Sequence, residues 1–258
     1  TLYTQSWLPE SDIKARVLLV HGMGEHSARY EHVARVLTDV GLRVDSFDHR
    51  GHGRSAGLRG HSPSYQHLQD DIQLMLDQDS TTPVFLYGHS MGGNLVLNYG
   101  LKNPPIQGIV ATGPWLKLTD QPPAALVLFA RLMAGIKPDL TLNSGLDADG
   151  LSHDPELNQA YRDDSLVHPK ISVKHFTGIV DAGLRAIEQA GSFSAPLLLV
   201  HGEKDPVCDP QGSREFFEAC SSSDKTLKIW PELFHEVHNE PEKEAVINTI
   251  RDWILAHI

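Results

Sequence analysis

The chain has 258 residues, of which 40% are hydrophobic and 21% charged, a composition that suits one globular domain with an insertion. Its formal net charge of −11 disfavours nucleic acid as a partner and disfavours electrostatic docking on anionic lipid. We expect no metal ion or other cofactor, because the histidines are scattered outside metal-binding motifs. Cys208 and Cys220 match no disulfide framework, and no signal peptide is recognisable, so we expect free thiols in a cytoplasmic protein.

Short apolar runs alternate with helical patterns in the first part of the chain, which is typical of a parallel sheet with crossover helices. Strands are predicted at 2–7, 16–20, 42–47, 84–87 and 109–111, and helices at 30–40, 67–77 and 95–101. The alternation stops from 115 to 193, where we find helical pieces but no convincing strand. It returns with strands at 197–200 and 227–230 and helices at 211–219 and 241–256, the last capped by Asn239 or Glu240. We therefore predict a core formed by 1–114 and 194–258 and a cap insertion formed by 115–193.

The segment 88–92, Gly-His-Ser-Met-Gly, lies between a predicted strand and a predicted helix. This context is typical of the nucleophile elbow of the α/β-hydrolase fold, where a serine stands on a sharp turn. Glycines flank the serine because larger side chains would collide with the neighbouring backbone. We therefore predict Ser90 as a nucleophile on an α/β-hydrolase fold, with a mostly parallel central sheet flanked by helices and a helical cap insertion.

In this fold the acid and the histidine follow the nucleophile in chain order. Asp205 ends the turn after the strand at 197–200, so we predict it as the acid, with Asp209 as the alternative. His235 lies beyond the last predicted strand and is our general base. His238, which is closer to the final helix, is the alternative. An imidazole with a pKa near neutrality accepts the serine proton, and the aspartate fixes its tautomer.

Acyl transfer also requires hydrogen-bond donors for a developing oxyanion. The backbone N–H of Met91, directly after the nucleophile, is one predicted donor. The other is expected from the loop 21–24, His-Gly-Met-Gly, where Met23 is the candidate, although this segment could be a plain glycine-rich turn. We interpret 48–55, Asp-His-Arg-Gly-His-Gly-Arg-Ser, as a structural turn closed by aspartate and serine hydrogen bonds.

Taken together, these segments resemble monoacylglycerol lipases, in the lysophospholipase-like group of α/β-hydrolases. The resemblance is carried by 21–26, 48–55, 88–93, 205–209 and 225–238, and it is weakest in the insertion. It implies hydrolysis of the ester bond of a monoacylglycerol to fatty acid and glycerol through an acyl-enzyme. It also implies an apolar tunnel under the cap for the acyl chain and a small polar pocket for glycerol.

The resemblance further implies a set of substrate-binding residues near the glycerol end and in the cap. They are Glu25, Arg29, His89, Tyr161 and His238. Alternative roles are an internal ion pair for Glu25 and Arg29, and cap packing for Tyr161. The sequence departs from the family at Met23, where animal members have a small residue, and at Ser165, where proline is common.

Other functions fit the same nucleophile. A lysophospholipase or a broad-specificity carboxylesterase would share the triad, and so would an aminopeptidase that holds the substrate amine with acidic cap residues such as Asp147, Asp149 and Asp154. A ligand-binding receptor on a hydrolase scaffold would retain these residues without turnover, so hydrolysis of a chromogenic ester separates it from the enzymes. Enzymes with an aspartate nucleophile are disfavoured by Ser90.

The segment 122–133 is apolar apart from Arg131, which predicts a helix with apolar side chains nearly all round. We expect one face to pack on the body and line the acyl tunnel, and the other to contact a membrane or micelle transiently. Burial on both sides or in a dimer interface is the alternative, and the sequence leaves the oligomeric state open.

Overall fold

The computed structural model describes residues 1–79 and 81–258, and a seven-stranded sheet forms its centre. The strands are β1 (Thr4–Trp7), β2 (Ala15–Val20), β3 (Leu42–Phe47), β4 (Val84–His89), β5 (Gly108–Thr112), β6 (Thr141–Asn143), β7 (Lys170–Ser172), β8 (Leu197–Gly202) and β9 (Lys225–Trp230). The order in the central sheet is β1-β3-β2-β4-β5-β8-β9. Only β1 runs antiparallel to its neighbour in this sheet. The predicted mostly parallel sheet is confirmed.

Helices cover both faces of this sheet. They are α1 (Glu31–Thr38), α2 (Tyr65–Leu76), α3 (Met91–Gly100), α4 (Ala124–Ile136), α5 (Pro155–Asp163), α6 (Val173–Gln189), α7 (Pro210–Ala219) and α8 (Lys243–Leu255). Several begin at the expected kind of cap. The Ser64 side chain accepts a hydrogen bond from the N–H of His67 at the start of α2, and Ser172 does the same for His175 in α6.

Two apolar layers hold the helices on the sheet, one on each face. Leu18, Leu86 and Ile109 belong to one layer, while Val17 and Phe85 belong to the other. The inner strands β2, β4, β5 and β8 are therefore buried almost throughout, as parallel strands covered on both faces must be. Among the described residues no helix is long and apolar enough to cross a bilayer.

Two expectations about elements are wrong. The insertion contains strands after all, because β6 and β7 pair antiparallel. Each has three residues, too few for a recognisable alternating pattern. The final helix begins at Lys243, and the side chains of Asn239 and Glu240, the two predicted caps, do not cap it. The Glu240 carboxylate accepts hydrogen bonds from Ser152 and from the backbone of Phe234, and the Asn239 amide donates to Glu236.

The sheet brings the predicted catalytic residues to a single edge. β4 lies between β2 and β5, with His89 opposite Thr112, and β8 pairs with β9 up to Gly202 and Trp230. Because these strands are parallel, the loops that follow β2, β4, β8 and β9 all emerge at the carboxyl edge, where ligands bind in open α/β sheets.

Candidate active site

Ser90 occupies a strained turn between β4 and α3. Its φ is 55° and its ψ −116°, in a region that side chains other than glycine rarely adopt. The backbone around it holds this conformation, since its N–H donates to Thr112 O at 2.9 Å and its carbonyl accepts from the N–H of Asn94 and Trp115. A Cβ at Gly92 would lie 1.9 Å from Val20 O, so the turn requires glycine there.

Asp205 and His235 are joined by a short hydrogen bond. His235 Nδ1 lies 2.7 Å from Asp205 Oδ2, and the backbone N–H groups of Val207 and Cys208 donate to the other carboxylate oxygen at 2.8 and 2.9 Å. Burial alone would raise the pKa of the Asp205 carboxyl, but His235 and hydrogen bonding hold it well below its usual range. Burial lowers the pKa of His235, but the opposing effects, led by the charge and hydrogen bond of Asp205, are together larger, so the pKa of His235 lies above its usual value.

The free nitrogen of His235 faces the nucleophile region. Nδ1 carries the hydrogen bond to Asp205, whereas Nε2 makes no hydrogen bond to any residue in 1–79 or 81–258. The His235 ring centroid lies 4.8 Å from that of His89, the residue before the nucleophile. His235 and Ser90 line one cavity, so Nε2 is available to the serine hydroxyl or to a bound molecule.

The structure uses both rival residues for other purposes. Asp209 caps α7 by accepting a hydrogen bond from the N–H of Gln211. The His238 ring stacks on Tyr30 with the centroids 4.9 Å apart, and burial lowers its pKa to about 3. Asp205 and His235 are therefore the pair with the geometry of an acid and a general base.

A cavity of about 430 Å³ opens beside Ser90. The core contributes Gly22, Met23, Glu25, His89, Ser90, His235 and Glu236 to its wall, and the insertion contributes Trp115, Leu118, Leu146, Leu151, Tyr161, Ile171 and Phe176, among others. Carboxyl and imidazole groups of the core thus lie near the nucleophile. Apolar side chains predominate in the part under the insertion, which also contributes Asp120, Ser144, Asp147 and His168. No residue of α4 lies in this wall among those described, so the expected contribution of that helix to the tunnel is wrong.

The two predicted oxyanion donors lie on either side of the nucleophile. Met91 is the first residue of α3, where backbone N–H groups have no acceptor within the helix. Met23 lines the cavity in the loop after β2, which approaches the nucleophile closely: a Cβ added at Gly22 would lie 3.2 Å from the Cβ of Ser90. Both amides are therefore placed where an oxyanion beside Ser90 could be bound.

The predicted substrate residues divide into two groups. Glu25, His89 and Tyr161 line the cavity, but among the described residues Arg29 and His238 do not. Arg29 donates to Glu25 at 2.6 Å, so the ion pair considered as an alternative is formed. Ion pairing and ring stacking engage the Arg29 and His238 side chains behind the wall, and direct contact of either residue with the substrate stays a prediction.

Sequence reasoning missed two buried residues next to the predicted ones. Glu236 forms a bidentate pair with Arg29, at 2.7 and 2.8 Å, and lines the cavity. His201 Nε2 lies 3.0 Å from Asp205 Oδ2 and 3.0 Å from the carbonyl of Cys208. A carbonyl can only accept, so Nε2 carries the proton and donates to both. Glu236 directly follows His235, and His201 lies near the end of β8. These positions were the only signals in the sequence that could have indicated the two residues.

The turn at 48–55 is structural, as predicted. Asp48 Oδ1 accepts from the N–H and hydroxyl of Ser27, Oδ2 accepts from the N–H of Arg54, and the Ser55 hydroxyl donates to the Asp48 carbonyl. Burial lowers the pKa of His49 and His52 well below the usual value, so both are neutral packing residues.

The sheet is that of an α/β-hydrolase, and Ser90, Asp205 and His235 follow β4, β8 and β9, in the chain order that serine hydrolases of that fold use. A sequence model of the family described as serine aminopeptidase, S33, matches residues 11–242, and the chain belongs to this family.

Monoacylglycerol lipases are among the proteins similar to this chain. That of Mycolicibacterium smegmatis is 36% identical over 258 residues, covering 98% of this chain and 92% of that protein. The crystal structure of Paleococcus ferrophilus monoacylglycerol lipase is 35% identical, with a TM-score of 0.95 and coverage of 100% of both chains. An uncharacterized abhydrolase domain-containing protein of Dictyostelium discoideum is 39% identical, and this chain spans 28% of its length. The predicted resemblance and fold are confirmed, and by family the chain is a carboxylic ester hydrolase.

Proposed function

We propose that this protein hydrolyses monoacylglycerols to fatty acid and glycerol, with Ser90, His235 and Asp205 as its catalytic triad. The observation that carries the proposal is the cavity lined by Ser90 and His235, which has carboxyl and imidazole groups beside the nucleophile and mainly apolar side chains under the insertion. Such a site matches an amphiphile with a small polar headgroup and one long chain. Each buried methylene contributes about 0.8 kcal/mol of binding free energy, so a fatty-acyl chain suits the apolar part.

In the proposed mechanism, His235 Nε2 takes the proton of the Ser90 hydroxyl as the serine oxygen attacks the ester carbonyl carbon. The Met91 and Met23 N–H groups bind the oxyanion that forms. The intermediate collapses, the bond to the glycerol oxygen breaks, and His235 gives its proton to that oxygen. A water molecule then attacks the acyl-enzyme, with His235 again as base, and releases the fatty acid. Asp205 stabilises the imidazolium and fixes its tautomer throughout.

We propose that 115–193 acts as a cap and that Glu25, His89 and Tyr161 contact the substrate. Tyr161 and Phe176 come from this insertion and face the cavity, whereas Glu25 and His89 come from the core. The substrate would therefore lie between the two parts of the chain. Arg29 and His238 support this wall from behind, through Glu25 and Tyr30.

We also propose that this protein is a cytoplasmic enzyme and that it contacts lipid transiently through α4. This helix buries only Ala130, while Leu128, Leu132 and Ile136 are 70, 62 and 69% exposed. Exposed apolar patches of this kind usually mark a contact surface. Arg131 pairs with Asp181, so the patch carries no free charge of its own. With a net charge of −11, contact through this surface would be hydrophobic.

Fatty acid release from a panel of monoacyl-, diacyl- and triacylglycerols and lysophospholipids tests the function. We expect the monoacylglycerols to give the highest kcat/KM. The Ser90→Ala variant should fold but lose at least about 10⁴-fold in turnover, because the covalent route is lost. Preference for a lysophospholipid would instead favour the lysophospholipase, and equal use of unrelated short esters would favour a broad carboxylesterase. Near-normal turnover by folded Ser90→Ala would contradict the proposed nucleophile.

A further inference from the structure

Three side chains set the charge at the polar end of the cavity. Arg29 Nη1 donates to Glu25 Oε2 at 2.6 Å and to Glu236 Oε1 at 2.7 Å, and Nη2 donates to Glu236 Oε2 at 2.8 Å. All three residues are largely buried. Two carboxyl groups therefore share one guanidinium, and both of its terminal nitrogens are engaged.

Further donors fix both carboxyl groups in place. Glu25 Oε1 accepts from the N–H of Gly22 at 2.7 Å and from the Tyr30 hydroxyl at 2.6 Å. Glu236 Oε2 accepts from the Asn239 amide at 2.7 Å. Although burial would raise the pKa of Glu236, the Arg29 charge and hydrogen bonds hold it well below its usual range. Glu236 is therefore an anion at neutral pH.

A bound headgroup would meet the carboxyl groups before it met the guanidinium. Glu25 and Glu236 line the cavity and Arg29 does not. The face of the guanidinium is covered by the Tyr161 ring, whose centroid lies 4.7 Å from the Arg29 Cζ. His89, which also lines the cavity, adds no compensating charge, because burial lowers its pKa well below the usual value.

This geometry has a direct consequence for headgroup choice. Arginine binds phosphate and carboxylate groups through its paired N–H donors, and here three of its five N–H donors are already bound to Glu25 and Glu236. An anionic headgroup would lose its hydration and face two carboxyl groups without gaining a cation. A neutral polyol loses little, because its hydroxyls can donate to the carboxylate oxygens.

We infer that Glu236 is a specificity-determining residue that closes the headgroup site to anions by occupying Arg29. The site thereby selects esters of neutral polyols over esters that carry a phosphate monoester. The inference rests on the proposed function and deepens it. A single carboxylate, that of Glu236, would thus distinguish an enzyme for monoacylglycerols from an enzyme for acidic lysophospholipids.

The test compares two substrates with one acyl chain, monooleoylglycerol and oleoyl lysophosphatidate, in the same detergent. For the wild type we expect kcat/KM to favour the neutral ester by at least about 100-fold. The Glu236→Gln variant removes the anion and frees part of the guanidinium. It should raise kcat/KM for lysophosphatidate relative to the neutral ester by about tenfold or more. A ratio is used because Glu236 adjoins His235, so the variant can slow both substrates together.

Two further variants show which group causes a gain in kcat/KM for lysophosphatidate relative to the neutral ester. Asp120→Asn makes the same charge change at another cavity residue, one that is exposed and has no contact with Arg29. It should leave the ratio of the two kcat/KM values as in the wild type. Adding Arg29→Gln to Glu236→Gln should return the ratio toward the wild-type value, because the freed guanidinium is then absent.

An unchanged ratio in folded Glu236→Gln, or comparable use of both substrates by the wild type, would overturn the inference. A second measurement needs no variant and no monoacylglycerol turnover. Glycerol and glycerol 3-phosphate compete against a short chromogenic ester on the wild type, and only glycerol should inhibit. Inhibition by both overturns the headgroup inference. Absence of monoacylglycerol turnover with glycerol-only inhibition would refute the proposed function and leave the charge selection supported.

Discussion

The carboxyl edge of the sheet buries charged side chains, whereas helix α4 exposes apolar ones. At the edge, charged groups such as Asp205 and Glu236 are buried and each has several partners within hydrogen-bond distance. On α4, leucines such as Leu128 and Leu132 lie exposed with no such constraint. The proposed chemistry thus depends on groups that the sheet holds in place, whereas the proposed contact with lipid would depend on a surface that core packing does not determine.

The largest effect should come from the base at the edge. His235→Ala should lower kcat/KM at least about 10⁴-fold, because the variant loses the proposed base for the serine proton. His238→Ala, a matched control three residues away, should cost stability more than turnover, since that ring packs on Tyr30. Hydrolysis of a short ester, with a thermal melt for each variant, checks both. A dead His238→Ala beside an active His235→Ala would reverse our assignment.

The second test concerns the acid and its effect on pH dependence. Asp205→Asn should lower kcat/KM by about 10³ to 10⁴-fold, since the imidazolium loses its counter-charge. The Asp205 charge raises the pKa of His235 against a burial effect that lowers it. Without this charge, burial is opposed only by the smaller effects of Glu236 and Glu25. The pKa of His235 therefore falls, and the acid limb of kcat/KM should move to lower pH.

Asp209→Asn is the control for this change, because Asn can still cap α7. It should leave both the plateau and the acid limb of the pH profile as in the wild type. A limb that stays in place, or moves to higher pH, in Asp205→Asn would show that Asp205 does not set the pKa of the base.

A smaller effect is expected at His201, which donates to Asp205 from behind. His201→Phe keeps the ring shape but removes the donor, and losing one hydrogen bond to a charged group should cost about tenfold or more in kcat. His201→Gln can supply an N–H and should restore part of the loss. Comparing kcat, KM and the melting temperature separates positioning from packing: a lower melting temperature with unchanged kcat would mean a purely structural role.

The smallest effect should be seen for variants of the exposed helix α4. Leu128→Asp/Leu132→Asp should weaken co-sedimentation with phosphatidylcholine vesicles by about tenfold or more, because two exposed leucines lose their apolar contact. Turnover of a water-soluble ester should not change. Leu8→Asp/Leu74→Asp, which alters two exposed leucines outside the insertion, is the matched control. Binding that weakens with salt, or that survives in the α4 variant, would rule out hydrophobic docking through this helix.

The same division governs how far sequence reasoning reached. The strand Leu42–Phe47 was predicted to the residue because its apolar residues lie between Gly41, which follows the preceding helix, and the glycine-rich turn at 48–55. The start of α3 was missed by four residues, since glycines 92 and 93 conceal a helix that begins directly at the elbow. Ser90, Asp205 and His235 could be chosen because each follows a recognisable strand. His201 and Glu236 could not, because a buried polar residue is explained only by partners far away in sequence.

Helix α6 links the two regions. Its residues Ile179 and Ala186 pack in the apolar layer of the sheet, and Asn94 and Asn98 of α3 donate to its backbone carbonyls. Phe176 on the same helix lines the cavity. An acyl chain in the cavity would therefore touch the element that connects β5 to β8. Its binding free energy would then add to the free energy of global unfolding, and the melting temperature of the whole protein should keep rising with the logarithm of the fatty acid concentration above its Kd.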